Sequence, residues 1–330
     1  RGEQTGLTGD RTAFLGQGGG LHAPAGLLSG QPLSGATGAG YDPCAVLSRD
    51  VALAPGQTVE VVFLLGQGGS AEAARGLIER YRAANLDAVL GQVTDQWAEV
   101  LGAVKVTTPD RTMDIMLTGW LLYQTLACRI RARAAFYQAS GAYGFRDQLQ
   151  DGMALSFALP EETRAQILRA ASRQFVEGDV QHWWLPHSGQ GVRSRISDDR
   201  VWLAFAAATY VGATGDGAVL DEPVPFLDGP ALEPGAHDAF FQPMPAEFSA
   251  SLFEHCARGL DQCLELTGPQ GLPLMGTGDW NDGMNRVGEA GRGESVWLGW
   301  LLLRTLALFA PLAADRDPER AQRWHDHAAK

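Results

Sequence analysis

The spacing of apolar residues changes near residue 70, and this change predicts two kinds of structure. Residues 1–69 are rich in glycine and carry short apolar runs, and the run at 59–65, VEVVFLL, follows an Ala-Pro-Gly turn signal and predicts a β-strand. About three strands cannot bury a core by themselves. We therefore expect residues 1–69 to form the last strands of a larger sheet.

From residue 70 onward, apolar residues recur at helical spacing. Ser70 is placed to cap a helix, and the segment 70–105 predicts one or two linker helices. Beyond residue 106 no alternating strand pattern competes with the helical one, and the predicted helices occupy residues 112–134, 161–177, 199–213, 248–266 and 294–313. Long loops between helices are typical of an α-toroid whose pocket is built by the loops at one end, although these helices are fewer than a closed double ring needs.

Composition and charge exclude several classes of function. The chain has 330 residues, is 45% hydrophobic and carries a formal net charge of −12, so it is a globular protein without general affinity for nucleic acid. Its four cysteines form no CxxC pair and have no histidine at metal-ligand spacing, which predicts a reducing compartment and no metal site. Because no apolar run reaches ~18 residues and no signal-peptide pattern is present, we expect a cytoplasmic segment without direct membrane contact.

The segment 276–284, GTGDWNDGM, holds two carboxylates, an indole and an amide in a glycine-rich turn. Such a turn presents side chains, and Trp280 offers a flat face on which a sugar ring can stack. Asp279 and Asp282 are candidates for acid chemistry beside that ring, since a protonated carboxyl can donate to a departing glycosidic oxygen. The alternative is a purely structural Asx turn.

A second polar cluster lies in the segment 143–151, YGFRDQLQD, between an aromatic turn and an apolar helix. Arg146 and Asp147 are expected at the helix start, with Gln150 and Asp151 about one turn later. Fixed donors and acceptors on one rim suit sugar hydroxyls, because a buried hydroxyl without a partner costs ~1–3 kcal/mol. The alternative is a salt bridge between Arg146 and Asp151 at the helix start.

A third loop at 182–191, HWWLPHSGQG, precedes the segment SDDRVWL at 197–203. Histidine and adjacent tryptophans in a glycine-rich loop suggest a carbohydrate surface, and the candidate ligands are His182, Trp184 and Asp199. A zinc site at His182 and a second histidine five residues later is disfavoured, because no third ligand is near. The Ser-Asp pair before Asp199 could simply cap the following helix.

Alternating arginines end the apolar stretch 112–134. Arg131 and Arg133 are candidates to point into a pocket and bind an anion, because a guanidinium suits bidentate capture of phosphate. Ordinary charges at a helix C-terminus are an equal alternative.

Taken together, the segments YGFRDQLQD, HWWLPHSGQG with SDDRVWL, and TGDWNDGMN with GRGESVWLGW resemble the inverting phosphorylases of glycoside hydrolase family 94, including the C-terminal region of cyclic β-1,2-glucan synthases. The resemblance implies a mainly α protein with a β part. Residues 1–69 would be the C-terminal part of a β-sandwich domain and 70–105 a helical linker. Residues 106–330 would be an (α/α)6 barrel catalytic domain that is truncated at its C-terminus.

The resemblance also implies roles for the candidate residues. Asp282 would be the general acid, Trp280 a wall of the sugar site, and Arg146 and Asp151 ligands of the same sugar. Inorganic phosphate would be the co-substrate, without any cofactor, and a β-glucan oligosaccharide, with β-1,2 linkage favoured, would be the substrate. A homodimer and a membrane-anchored parent protein at the cytoplasmic face of the bacterial inner membrane are compatible with this resemblance.

Two other functions stay open at the level of sequence. An inverting hydrolase needs a second carboxylate ~6.5–9.5 Å from the acid to activate water, and Asp147, Asp198 or Asp199 could serve. A non-catalytic carbohydrate-binding module is the other alternative. The sugar- and phosphate-site residues that the family carries after its Trp-Asn-Asp motif have no match here, since His325 and His327 lie in a polar helix. We therefore expect the fragment alone to be inactive.

Overall fold

The computed structural model describes residues 4–131 and 141–330. The chain divides into two compact units, Arg1–Val93 and Thr94–Lys330, and the division falls inside the helix Leu86–Leu101. The described residues are mainly helical with some sheet, as the sequence predicts.

The described part of the N-terminal unit pairs two strands in an antiparallel sheet, with Leu7 opposite Leu47 and a bulge between Thr8 and Asp10. The Ser70 hydroxyl accepts a hydrogen bond from the amide of Ala73 at 3.1 Å, which confirms the predicted helix cap. The elements are β1 (Gly6–Asp10), α1 (Arg11–Leu15), α2 (Ala25–Leu28), β2 (Pro43–Ser48), α3 (Ala71–Ala83) and the start of α4 (Leu86–Leu101). The last two confirm the predicted helices after residue 70.

The strand predicted at residues 59–65 is wrong. This segment has no regular secondary structure, and its apolar side chains are exposed, with Phe63 at 60% of its full accessibility. A β-strand is stable only when a neighbouring strand satisfies its backbone N–H and C=O groups. Among residues 4–131 and 141–330 the segment has no such neighbour, so a strong β pattern is left extended and unpaired.

Helices dominate the second unit and confirm most of each predicted helical stretch. The exceptions are residues 172–177, which form turns and isolated bridges, and residues 248–251, which belong to a strand, while residues 132–134 lie outside the described residues. Gly119, at φ +95°, makes a kink where a side chain would meet Leu101. The helices are α5 (Arg111–Ile115), α6 (Leu121–Tyr123) between π-helical segments (Met116–Trp120 and Gln124–Arg131), α7 (Phe145–Met153), α8 (Pro160–Ala171), α9 (Asp199–Thr214), α10 (Leu252–Glu265), α11 (Val296–Ala313) and α12 (Pro318–Ala328).

Helix α9 lies at the centre of this unit and packs against α7, α8, α10 and α11. It is apolar on nearly every side, as expected for a helix surrounded by protein. Its first turn is therefore held firmly from several directions. The core around it includes Phe145, Leu149, Ile167, Val201, Leu203, Leu252, Leu260, Leu298, Leu302 and Phe309, all buried.

The expectation of no strands beyond residue 106 is wrong. Short strands, β3 (Tyr143–Gly144), β4 (Gln181–Trp184), β5 (Gly191–Ser194) and β7 (Asp238–Phe241), form an antiparallel sheet in the order β3-β4-β5-β7. A separate pair joins β6 (Pro223–Asp228) to β8 (Met244–Ser251). The strands of the four-stranded sheet are hidden in sequence because two to four residues give too little alternation to outweigh glycine and proline. The four-stranded sheet ties the second predicted motif to the third, with Tyr143 opposite Trp184.

Helix α11 corrects the expectation about apolar runs. It is 18 residues long with a mean hydropathy of 1.7, so by length and composition it could cross a membrane, and among the described residues it alone meets that test. Its inner face belongs to the core, with Leu298, Leu302 and Phe309 buried. The core helix of a globular protein meets the same criteria, so the helix is weak evidence for a membrane segment.

Candidate active site

Arg146 joins the three predicted motifs. It lies in the first turn of α7, and its side chain is only 8% exposed. Its Nη2 donates to both carboxylate oxygens of Asp282 at 2.8 and 2.9 Å, and its Nη1 lies 3.3 Å from both oxygens of Asp198. Nη1 also donates to the backbone carbonyl of Asp279 at 3.1 Å. Burial lowers the pKa of Arg146, but the nearby carboxylates more than offset it and leave the pKa raised.

Asp282 is the accessible carboxyl of this group. It begins a short 3₁₀ turn, Asp282–Met284, in which the side chain of Asn281 accepts a hydrogen bond from the amide of Gly283. Its side chain is 54% exposed although Arg146 beneath it is buried. Asp282 is therefore fixed from one side by a charge-assisted pair and open to a ligand on the other.

Asp198 lies below Arg146 and is fully buried. Its Oδ2 accepts a hydrogen bond from the indole Nε1 of Trp202 at 2.8 Å, and its side chain makes no capping bond to α9. The predicted capping role is thus wrong for this residue. Burial and the neighbouring Asp199 raise the pKa of Asp198 to about 7, against the opposing effect of Arg146.

Asp199 holds His182. The ring Nδ1 lies 2.8 Å from Oδ2 of Asp199, and the ring Nε2 lies 4.0 Å from Oδ2 of Asp282. Burial lowers the pKa of His182, but the charge and hydrogen bond of Asp199 raise it to about 9, so the ring is an imidazolium at neutral pH. The other oxygen of Asp199 is buried and without a hydrogen-bond partner among the described residues.

Asp279 is a structural residue, as the Asx-turn alternative anticipated. Its Oδ2 accepts from the hydroxyl of Ser295 at 2.6 Å, and its Oδ1 accepts from the amide of Asn281 at 2.9 Å. Ser295 in turn caps α11. Nearby, Gly276 has φ +64°, and a Cβ there would lie 2.0 Å from the carbonyl oxygen of Arg195, so only glycine fits.

Trp280 presents an open aromatic face near Asp282. Its ring is 52% exposed, and its Nε1 donates to Oε1 of Gln150 at 3.4 Å. The ring of Trp297, 41% exposed, lies 6.4 Å away between centroids. Trp297 was not among the predicted site residues, although it lies in the motif GRGESVWLGW. The structure thus places the predicted residue Gln150 beside the indole of Trp280, and it shows that Trp297 also lies close to that indole.

Asp151 does not pair with Arg146, so the salt bridge offered as the alternative is wrong. It pairs with Arg129, whose Nε lies 2.7 Å from Oδ2 of Asp151. Burial raises the pKa of Asp151 to about 6, against the opposing effect of Arg129. Asp147 is closer to the predicted site, since its Oδ1 lies 3.7 Å from Nε of Arg146 and its side chain is one-third exposed.

The remaining predicted residues lie away from this group or outside the description. Trp184 is 1% exposed and stacks on Tyr143 with ring centroids 5.5 Å apart, so it belongs to the core and offers no face to a sugar. Arg131 pairs with Glu162 at 3.0 Å. Arg133 lies outside the described residues. Among those residues no group of three or more potential metal ligands occurs.

The site thus combines a half-exposed carboxyl, a buried arginine and an open indole in a mainly helical unit. Two family models match the chain: residues 96–330 match the glycosyl hydrolase 94 superfamily, catalytic domain, and residues 1–84 match the glycosyl hydrolase 94 supersandwich domain. The chain therefore belongs to the glycosyl hydrolase 94 superfamily, which confirms the resemblance seen in its motifs.

Similar proteins include synthases and phosphorylases. The chain is 51% identical over 327 residues to the cyclic beta-(1,2)-glucan synthase NdvB of Rhizobium meliloti (strain 1021), covering 99% of this chain and 12% of that protein. It is 30% identical over 318 residues to a solabiose phosphorylase of Paenibacillus borealis, covering 94% and 37%. It is 28% identical over 303 residues to an N,N'-diacetylchitobiose phosphorylase of Vibrio proteolyticus, covering 83% and 35%. The chain thus spans well under half the length of these relatives.

Proposed function

We propose that this chain is part of an inverting glycoside phosphorylase module that acts on β-linked gluco-oligosaccharides, with β-1,2-glucan as the favoured substrate. The observation that carries the proposal is the accessible Asp282 carboxyl, held by both oxygens on the buried Arg146 guanidinium. In the proposed architecture, residues 1–69 complete a β-sandwich, 70–105 are a linker and 106–330 contribute an incomplete (α/α)6 barrel. The family membership and the similarity to named phosphorylases support this proposal.

In the proposed reaction, an oxygen of inorganic phosphate attacks the anomeric carbon of a glucosyl unit. Attack comes from the face opposite the leaving oxygen, so the configuration inverts as the glycosidic C–O bond breaks. Asp282 in its protonated form donates its proton to that oxygen and becomes the carboxylate that Arg146 holds. The products are a glucose 1-phosphate and a shortened glucan, and the proton released by the attacking phosphate balances the one that Asp282 regains. Because phosphate is itself the nucleophile, the protein needs one acid and no base.

The burial of the other carboxylates supports phosphorolysis over hydrolysis. A base that activates water must reach water, yet Asp198 and Asp199 are both buried. Asp147 is the more exposed of the three residues considered for this role. An inverting hydrolase would therefore depend on Asp147 as its base. Asp147→Asn should abolish turnover by such a hydrolase, whereas in a phosphorylase it should weaken sugar binding and leave turnover by phosphate measurable at saturating sugar.

Sugar binding is assigned to Trp280, Gln150, Asp147 and Arg146. The indole of Trp280 covers one face of the sugar ring, and the polar side chains nearby match its hydroxyl groups. For the phosphate, Arg133 is preferred over Arg131, because Arg131 already pairs with Glu162 and would have to exchange partners. All four cysteines are free, which supports a cytoplasmic location.

The test uses the parent protein, because the isolated chain is expected to show no turnover. β-1,2-Glucan and phosphate are supplied, and glucose 1-phosphate is measured enzymatically. Asp282→Asn should abolish the product, whereas Asp228→Asn, on an exposed strand position, should leave the rate unchanged. New reducing ends formed without phosphate, and no glucose 1-phosphate when phosphate is supplied, would contradict phosphorolysis and favour the hydrolase.

A non-catalytic binding module would behave differently in a calorimetric titration with gluco-oligosaccharides. In that case Asp282→Asn should leave both sugar affinity and biological function intact, while Trp280→Ala should remove both. The phosphorylase proposal instead requires that Asp282→Asn retain sugar binding and lose turnover.

A further inference from the structure

Two consecutive aspartates at the start of α9 each hold a cation that faces Asp282. Asp198 contacts Nη1 of Arg146, whose Nη2 binds the Asp282 carboxylate at 2.8 and 2.9 Å. Asp199 contacts Nδ1 of His182 at 2.8 Å, and Nε2 of the same ring lies 4.0 Å from Asp282. Each series of contacts runs from a buried carboxylate, through a cation, to the accessible carboxyl of Asp282.

The contact with Asp199 fixes both the orientation and the protonation of the His182 ring. A carboxylate accepts hydrogen bonds only, so Nδ1 carries a proton and the opposite nitrogen, Nε2, is directed towards Asp282. The distance of 4.0 Å is too long for a direct hydrogen bond. One oxygen atom can bridge it, because two hydrogen bonds of ~2.8 Å can meet at such an oxygen.

Both aspartates are anchored at the start of helix α9, which packs against four other helices of the unit. They lie in the central helix α9 or directly before it, and Asp198 is further held by the indole Nε1 of Trp202 at 2.8 Å. The N-terminus of a helix favours negative charge. Two adjacent buried carboxylates repel each other, and the cations Arg146 and His182 compensate that repulsion. The pair is therefore built to fix cations rather than to contact solvent.

We propose that Asp198 and Asp199 are positioning residues for Asp282, with Asp198 fixing Arg146 and Asp199 fixing His182 as two cationic groups beside the reacting carboxyl. When Asp282 gives up its proton, negative charge develops on its oxygens. Preorganised cations stabilise such charge without reorganising during the reaction. The role of these cations in proton transfer rests on the proposed function, whereas their placement beside Asp282 does not depend on turnover.

The placement is tested by NMR on the 330-residue chain with ¹⁵N-labelled histidine, with His182→Asn used to assign the ring signals. The charged groups that face this ring are Asp199, Asp282 and Arg146. In the wild type both ring nitrogens should stay protonated until about pH 9. Asp199→Asn should leave the ring neutral at pH 7.5, and Asp228→Asn, a matched control at an exposed strand position, should leave its titration unchanged.

A His182 ring that titrates near the ordinary value of ~6.5 in the wild type would overturn the proposal. So would an unchanged titration in Asp199→Asn. If that variant fails to fold, as judged by circular dichroism, the wild-type titration alone still decides. Asp282→Asn then gives a second reading, because loss of the facing carboxylate should lower the titration midpoint of His182 below its wild-type value.

The catalytic consequence is measured in the parent protein. Asp199→Asn should lower kcat for glucose 1-phosphate formation roughly tenfold with little change in KM, which is less than the ~10²–10³-fold effect of deleting a charge-stabilising donor itself. A change in KM alone would contradict a positioning role. Absence of phosphorolysis in the wild-type parent, together with the expected NMR titration, would refute the proposed function and leave the placement of the cations standing.

Discussion

The charged state of His182 predicts a stability that depends on pH in a particular direction. Its pKa is raised from about 6.5 in an unfolded chain to about 9 in the folded protein, by Asp199 against the effect of burial. The folded state therefore binds the proton more tightly than the unfolded state does. The stabilisation is fully present below pH 6.5 and is lost as pH rises through 9.

The size of the effect follows from the shift. A difference of about 2.5 units between 6.5 and about 9 corresponds to roughly 3 kcal/mol in the free energy of unfolding. The side chain is 20% exposed, so solvent screening of the interaction is limited. His182→Gln removes the titration and keeps a side chain that can donate to Asp199. We expect this variant to be roughly 3 kcal/mol less stable than wild type at pH 6 and close to it near pH 10.

The assay is urea unfolding of the wild type and of His182→Gln in the 330-residue chain, followed by circular dichroism across this pH range. The difference between the two proteins is the quantity of interest, because all other titrating groups contribute equally to both. A difference that is constant with pH would refute the reasoning, since it would mean that the ring is not held as an imidazolium.

His255 supplies a matched control of opposite sign. It is buried against Gln174 and the carbonyl of Val224, and burial lowers its pKa to about 4. Its contribution to stability is present above pH 6.5 and is lost as pH falls through 4. His255→Gln should therefore lose more stability at pH 7.5 than at pH 5. The same trend for both histidines would show that the measured differences do not come from their titration.

Two further predictions concern binding and packing. Trp280→Ala should weaken binding of gluco-oligosaccharides by the ~1–2 kcal/mol expected of an aromatic platform, whereas Trp300→Ala, which alters a more exposed indole on α11, should leave calorimetric affinity unchanged. Phe309→Ala should lower the free energy of unfolding by ~3–5 kcal/mol in urea, because Phe309 is fully buried between Phe253 and Trp324. Leu303→Ala, at a position 37% exposed on the same helix, should cost much less, and equal losses would contradict the packing described for α11.

Several helices were predictable because they carry a local, repeated signal. Ser70 caps a helix of the first unit, and in the second unit α8, α9, α10 and α11 lie within one residue of the stretches whose apolar spacing predicted them. The strands were not predictable from sequence, for two different reasons. Residues 59–65 have a clear β pattern but no paired neighbour among the described residues. The strands β3, β4, β5 and β7 are short and gain their hydrogen bonds from partners far away in sequence, which a local pattern does not contain.

The candidate site also contains residues that the sequence could identify and residues that it could not. Residue type and spacing were enough to make Arg146, Asp282 and Trp280 candidates, because a glycine-rich turn presents its side chains and a helix start fixes a charged one. Sequence did not distinguish Asp279 from Asp282. Both carboxylate oxygens of Asp279 accept hydrogen bonds, one within its own turn and one from the residue that caps α11, whereas the carboxyl of Asp282 is exposed. Both are aspartates in one loop, and only the tertiary contacts of that loop distinguish them.

Trp184 and Asp198 show what tertiary structure adds to a motif. Trp184 looked like a sugar platform, yet stacking on Tyr143 across β3 and β4 places it in the core, and that pairing is set by strand register. Asp198 looked like a helix cap, yet Arg146 and Trp202 both bind its carboxylate. In each case a residue with a common local role takes its actual role from a partner that sequence spacing does not reveal. An acidic pair before a central apolar helix, in a chain with an arginine-bearing loop to match, is therefore better treated as a support for cations than as two independent caps.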